Sequence, residues 1–449
     1  MSIEKINQAK AEIASTSAYK TITEFFDADS FTEIDAFAKS GEGFAEVVAG
    51  FGTVEGMPVY AFAQNSDICG GAMSKAQAAK LKKIYDLALK TGAPVVGFYD
   101  SVGGRLMQGN ELLAGCGQVL NSAAAVSGAV PQISVVLGTC LGTNALNAAS
   151  ADFVIMSEKA QLSLDVTGEN ASAEYNAEHG IASVVAKDSA EAVAKAKELV
   201  LYLPSNNLNT APESFEEEPA GCDCIVGSTV DGGSVYKLFD NYGKDAKVRL
   251  ARLGGSVVGI VKTNGGVLSC SATTKIAKFV RFCDAFNIPL VSLVDVPGFL
   301  PGTGQEYNGV ILHGAKLLYA YGEATVPKVT ITLRKSYGGS HIVMSCKQLR
   351  GDMNYAWPTA EIAVMGGAGA VEVLYAREAK EQENPAQFLA EKEAEYTKLF
   401  ANPYNAAKYG YIDDVIEPRN TRFRVIRALQ QLQTKKLTNP AKKHGNIPL

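Results

Sequence analysis

One order of landmarks occurs twice along the chain, and that repeat limits its fold more than any composition figure does. In the first version an apolar run ends at Asp100 and a loop with Gly103, Gly104 and Gly109 follows. A small-residue helical stretch comes next, then an apolar run opened by Pro131 and a turn at Gly142-Thr143. The second version spans residues 289–344. It runs from Asp295 through a Pro/Gly loop and a helical segment to Pro327, an apolar run and Tyr337-Gly338-Gly339-Ser340. Asp100 stands 31 positions before Pro131, and Asp295 stands 32 before Pro327; Pro131 precedes Gly142 by 11, and Pro327 precedes Gly339 by 12. Each half then reaches an acid before an apolar run, Asp152 before FVIM and Glu361 before IAVM. Four landmarks in one order argue for a duplicated α/β domain, with ligands expected where loops leave the strand ends. Glycine at such turns lets a ligand approach backbone N–H groups closely.

At 449 residues the chain exceeds what one core supports. The expected division is an N-terminal domain over 1–205, a Pro/Asn/Glu-rich linker over 206–222 and a C-terminal domain over 223–449. A net charge of -5 and a pI near 5.6 argue against nucleic acid as the main partner. The first twenty residues lack an apolar signal core, and no apolar run reaches the roughly 18 residues of a membrane span, so the expected place is the cytoplasm. Eight dispersed cysteines, with Cys222 and Cys224 one residue apart, read as reduced structural thiols, and no metal site is expected.

Local pattern fills in the rest. Residues 1–38 read as short helices with a turn at Asp27 to Asp29. Residues 43–65 alternate around Glu55-Gly56 as a hairpin does. Ala78, Leu81, Ile84, Tyr85 and Ala88 share a helix face that Gly92 closes. From Ala376 onward the charged run 377–402 reads as one helix, followed by a strand and a last helix.

Three blocks are specific enough to carry a family resemblance: RFCDAFNIPLVSLVDVPGFLPGTGQEYNGVILHGAKLLYAYGEATVPKVT, RKSYGGSH and LRGDMNYAWPTAEIAVMG. With them the chain resembles the β-type carboxyltransferase subunits of biotin-dependent acyl-CoA carboxylases, transcarboxylases and decarboxylases. The resemblance spans nearly the whole sequence, from SFTEIDAF to KKHGNIPL. It implies two tandem crotonase-fold domains, a hexamer built as a trimer of dimers, and a site between the N domain of one subunit and the C domain of another. The reaction it implies moves a carboxyl group between biotin and the α-carbon of a short-chain acyl-CoA, and two oxyanions develop on the way. Gly142 and Thr143 would hold the thioester oxygen, and Gly339 and Ser340 the ureido oxygen of biotin. Gly103, Gly104, Arg105, Gly338 and Ile342 would line the substrates.

The sequence departs from the family pattern at several of these places. Thr143 stands where a second glycine is usual, Ser340 where alanine is, and His341-Ile342 where a tyrosine and an often acidic residue are. The segment after Asp165 is short for the family. An apolar Ile342 would alter acyl preference. No Met-Lys-Met biotinylation motif occurs, so biotin would arrive on a separate carrier protein, with a biotin carboxylase or a membrane decarboxylase subunit completing the cycle. The transfer step is reversible, so carboxylation and decarboxylation both stay open, and a non-catalytic assembly subunit is the reading from a different class.

Other chemistries fit less well. His341 near Ser340 and Ser345 suggests a serine hydrolase, yet no Gly-x-Ser-x-Gly elbow exists. Asp295-Val-Pro-Gly resembles a GTPase strand end, but no P-loop is present. Asp100 and Asp295 suggest a hydratase acid pair, although capping roles are commoner at such positions. His313 reads as structural, Trp357 as core or interface, and Arg105 as a CoA-phosphate ligand or a salt-bridge partner.

Overall fold

The computed structural model describes residues 3–165, 169–219 and 224–449. The first three residues of the short segment after Asp165, the end of the expected linker and Cys222 therefore lie outside the described residues. Two compact units divide the chain: Met1–Pro212 with Phe239–Asn241 and Ala285–Asn287, and Glu213–Leu238 with Tyr242–Asp284 and Ile288–Leu449. Each is described by itself.

In the first unit the alternating stretch forms β1 (Val47–Val54) and β2 (Met57–Gln64), paired antiparallel with Val54 opposite Met57. Glu55 and Gly56 take φ of 47° and 80°, the positive values that a two-residue hairpin turn needs. Then come α1 (Lys75–Thr91), β3 (Val95–Ser101), α2 (Asn110–Ala125), β4 (Gln132–Leu141), α3 (Thr143–Ala149), β5 (Phe153–Ser157) and β6 (Gln161–Ser163). The helix α1 forms as its sequence predicts. Ser74 caps its start by accepting from Gln77 N, Gly92 ends it at φ 69°, and Ala78, Leu81, Ile84, Tyr85 and Ala88 are buried. From β2 onward the strands run parallel in the order β2-β3-β4-β5, with β6 paired to the end of β4. Strands covered on both faces read as continuous apolar runs, and Val95 to Tyr99 are all buried.

The second unit repeats this plan with β7 (Ala246–Leu253), β8 (Ser256–Thr263), α4 (Cys270–Ala285), β9 (Leu290–Val296), α5 (Val310–Glu323), β10 (Lys328–Tyr337), α6 (Gly338–Val343), β11 (Met353–Ala356) and β12 (Glu361–Ala363). Its sheet order is β7-β8-β9-β10-β11, with β12 paired to the end of β10. A closing helix α7 (Thr421–Leu432) packs Val425 and Ala428 into the core of this unit. Both central strand pairs carry a register shift at the same place, Tyr99/Ser101 and Val294/Val296.

The repeat extends to one feature that the landmarks did not include. Asp27 accepts from the N–H groups of Glu55 (2.9 Å) and Gly56 (2.9 Å), and Asp231 accepts from those of Gly254 (2.9 Å) and Gly255 (2.7 Å). Ser30 and Ser234, three residues on, each accept from a strand N–H, that of Thr53 (3.1 Å) and that of Arg252 (3.0 Å). An Asp-x-x-Ser loop thus fixes the hairpin turn of each sheet.

Two expectations need correction. The run 377–402 is not one helix: Gly367–Ala379 and Pro385–Leu399 are separate, because Asn384 caps the second and Pro385 opens it. The counterpart of Asp152 is Asp352 rather than Glu361. Gln132 N donates to Asp152 and Lys328 N to Asp352, each at 2.8 Å, whereas Glu361 starts β12, the partner of β6 in the repeat.

Candidate functional site

Register settles which turn residues correspond. Pro131 O accepts from Val95 N (3.0 Å) and Pro327 O from Leu290 N (2.9 Å), so the two prolines are equivalent. Counting on from them, Gly142 matches Gly338 and Thr143 matches Gly339, one residue earlier in the second half than landmark spacing suggested. Conformation agrees: Gly142 has φ 64° and Gly338 has φ 52°, in the region that side chains with a Cβ rarely enter. At Gly338 an added Cβ would also lie 2.9 Å from Val364 O.

This register changes the donor assignment. Gly142 N donates to Ser163 O at 3.0 Å, so its N–H is engaged and its contribution is conformational. Thr143 is the first residue of α3, where an N–H has no intrahelical carbonyl to meet, and its exposed side chain donates to Cys116 Sγ at 3.3 Å. Gly339 is the exposed counterpart in α6. Ser340 is buried and its hydroxyl donates to Tyr337 O at 2.7 Å, so it packs beneath the turn.

Each turn faces a loop built in the same way. In the first unit Met73 N donates to Gly103 O (2.8 Å) and Arg105 N to Met73 O (2.9 Å), an isolated bridge that leaves Gly104 between them. In the second unit Leu268 N donates to Gly298 O (2.9 Å) and Leu300 N to Leu268 O (2.8 Å), leaving Phe299 in that place. Alternate N–H groups of an extended bridge face opposite sides, so those of Gly104 and Phe299 point away from the partner strand. Asn144 Nδ2 reaches Gly103 O at 2.9 Å and ties the first loop to its turn. In the second unit the ring of Phe299 lies 3.7 Å from the Cβ position of Gly339. Phe299 carried no signal in the sequence beyond its place in the repeat.

The remaining predicted residues fall as follows. Arg105 donates from Nη1 to Glu46 Oε1 (2.7 Å) and Ser40 Oγ (2.9 Å), which makes it a salt-bridge partner in its own unit. Ile342 is 47% exposed on α6, and register pairs it with Leu146 on α3, also 47% exposed. Leu146 was legible only through the repeat. Tyr337 donates its hydroxyl to Glu361, and burial followed by that carboxylate raises its pKa. This contact joins β10 to β12 next to Gly338.

The alternative chemistries lose their geometry. His341 Nδ1 meets Ser336 Oγ (2.9 Å) and not Ser340 or Ser345, and burial holds the imidazole toward its neutral form. Asp100 and Asp295 accept from Thr139 N and Lys335 N, both at 3.1 Å, each across its own bulge. His313 meets Thr274 Oγ1 (3.1 Å) and Lys316 Nζ (3.2 Å). Trp357 packs against the second core and donates Nε1–H to Thr421 Oγ1 at 3.0 Å. Among the described residues no His/Cys/Asp/Glu group is arranged to hold a metal, and no helix is long and apolar enough to cross a membrane.

Known proteins resemble this chain over nearly its whole length. A carboxyl transferase domain family matches residues 14–447. The methylmalonyl-CoA decarboxylase subunit alpha of Propionigenium modestum is 40% identical, covering 96% of this chain and 93% of its own. The propionyl-CoA carboxylase beta chain of Roseobacter denitrificans is also 40% identical, over 94% of this chain and 92% of its own. Among solved structures, the hexameric transcarboxylase 12S with methylmalonyl-coenzyme A and methylmalonic acid bound superposes with a TM-score of 0.93. It is 38% identical and covers 99% of this chain and 97% of its own.

Proposed function

The chain belongs to the carboxyl transferase family, and on that premise we propose that its two glycine turns serve the two ends of one carboxyl transfer between carrier-borne biotin and a methylmalonyl- or propionyl-type CoA ester. The observation that carries this is the register match of Gly142-Thr143 with Gly338-Gly339, each turn beside a loop with a further backbone N–H directed out of its bridge. The transfer needs two oxyanion sites of the same kind, one at the thioester oxygen and one at the ureido oxygen of biotin. A duplicated crotonase-like domain supplies one from each half. Thr143 and Gly104 serve the thioester, and Gly339 and Phe299 serve the ureido oxygen. Biotin nitrogen freed of its carboxyl group takes the α-proton, so no side-chain base is required.

Ile342 and Leu146 give each turn an apolar neighbour, suited to a short acyl group and to the biotin ring. Domains over 1–205 and 223–449, assembly as a hexamer, a biotin carboxyl carrier and a biotin carboxylase or membrane decarboxylase partner complete the reading. Relatives at equal identity are named as a decarboxylase subunit and as a carboxylase subunit, and the proposed transfer is reversible.

Gly339→Val tests the biotin end. Its side chain would crowd the approach to an exposed N–H, and carboxyl transfer is expected to fall about 10²-fold or more. A Gly339→Val enzyme with wild-type turnover would contradict the assignment.

A further inference from the structure

A buried hydrogen-bond chain runs beneath the first turn, and among the described residues only its outermost link to the strand end recurs beneath the second. It begins at the Arg105–Glu46 pair (2.7 Å), where the Arg105 side chain is 32% exposed and Glu46 is fully buried. Glu46 Oε2 accepts from Ser74 Oγ (2.5 Å), and the backbone carbonyl of Glu46 accepts from Gln77 Nε2 (2.7 Å). Gln77 Oε1 accepts from Gln64 Nε2 (3.3 Å), which also donates to Asn144 Oδ1 (3.0 Å). Asn144 Nδ2 then donates to Ser101 Oγ (3.0 Å) and Gly103 O (2.9 Å). Gln64 Oε1 accepts from Asp100 N (3.2 Å) at the end of β3. No polar side-chain atom of Glu46, Gln64, Gln77 or Asn144 is left buried and unpaired. At the matching positions of the second unit, Ser340 bonds only its own turn, and Thr263 accepts from Asp295 N (2.7 Å).

We propose that Asn144 is the positioning residue of the first turn, held by Gln64 as the inner end of this chain. Asn144 follows Thr143 in sequence and grips the loop immediately before Gly104. It therefore sets the separation and angle of the two N–H groups that would meet the thioester oxygen. A fully satisfied buried network holds one geometry, because any displacement leaves a buried amide group unpaired. In the second unit the Tyr337–Glu361 contact and the tight fit of Gly338 do this work instead. The proposal rests on the reading of the turn as a thioester site.

The test uses the full chain with methylmalonyl-CoA and free biotin. Asn144→Asp keeps the volume and removes both donors. It should lower kcat about 10- to 100-fold with KM for the CoA ester within about twofold, since misplaced groups affect the transition state more than binding. Gln64→Ala should behave alike, and the double variant should lose no more than the worse single one, because both act through one chain. Unchanged kcat, or losses that multiply in the double variant, would overturn the proposal. Amide exchange of 101–105 and 142–146 decides independently of activity. It should quicken in Asn144→Asp, with the other segments unchanged; wild-type exchange there would also overturn it. Transfer absent from the wild type would remove the thioester reading, while these exchange rates would still decide whether Asn144 positions the turn.

Discussion

Thr143→Pro is expected to lower carboxyl transfer about 10²- to 10³-fold, the usual loss on deleting one oxyanion-hole donor, while leaving the fold in place. Thr143 is the first residue of α3, the helical position where proline is best tolerated because the N–H there has no partner within the helix. Gly142 before it has no Cβ to clash with the new ring. The substitution therefore removes a backbone donor and a hydroxyl contact to Cys116, and little else. Thr143→Val separates the two, since it keeps the N–H and loses only the hydroxyl; it should retain turnover within a few-fold. A Thr143→Pro protein with wild-type initial rates, or a Thr143→Val protein as impaired as the proline variant, would show that the N–H does not act on the substrate.

The second large effect falls on stability. Asp231 is 2% exposed and accepts from Gly254 N, Gly255 N and Arg422 Nη1, the last at 2.8 Å. It thereby joins the β7–β8 turn, where Gly254 and Gly255 take φ of 62° and 81°, to the first turn of α7. Asp231→Ala would leave the part-buried Arg422 guanidinium short of a partner and two backbone donors without an acceptor. Breaking a buried pair from one side costs about 3–5 kcal/mol. Trp357, the sole tryptophan of the chain, packs in the same unit, so its fluorescence in urea follows this unfolding selectively. The Asp231→Ala transition should shift to clearly lower urea at an unchanged slope, and superimposable curves would refute the role. The same change at Asp27 should cost less, because that carboxylate is more exposed and has no arginine partner.

Much of this arrangement could be read from the residues. Asp100 and Asp295 end central strands, Glu55-Gly56 turns a hairpin and Gly92 ends a helix, because turn chemistry and apolar runs are local signals. The errors arose where spacing stood in for register. Counting from Pro327 placed the second turn one residue late, and only the strand pairing shows that positive φ belongs to Gly338. Glu361 looks like the mate of Asp152 because it stands before an apolar run, whereas the strand that follows Asp352 is interrupted by Asn354. The Asp-x-x-Ser loops were visible at Asp27/Ser30 and Asp231/Ser234, but short polar motifs acquire meaning only when both are seen bonding hairpin turns. The chain from Arg105 to Asn144 lay beyond sequence reasoning altogether. Its links join residues as far apart as Gln64 and Asn144, and nothing in either neighbourhood announces the other.

A chain that offers both oxyanion sites of a biotin-dependent carboxyl transfer must move carboxylate between a CoA ester and free biotin by itself. The most direct measurement mixes the purified protein with methylmalonyl-CoA labelled in its free carboxylate and with free biotin, and follows the label. Label should pass to biotin and propionyl-CoA should accumulate in equal amount, with the rate saturating in both substrates. Label that stays on the CoA ester at every biotin concentration would contradict the claim and leave a carboxyltransferase fold retained for assembly.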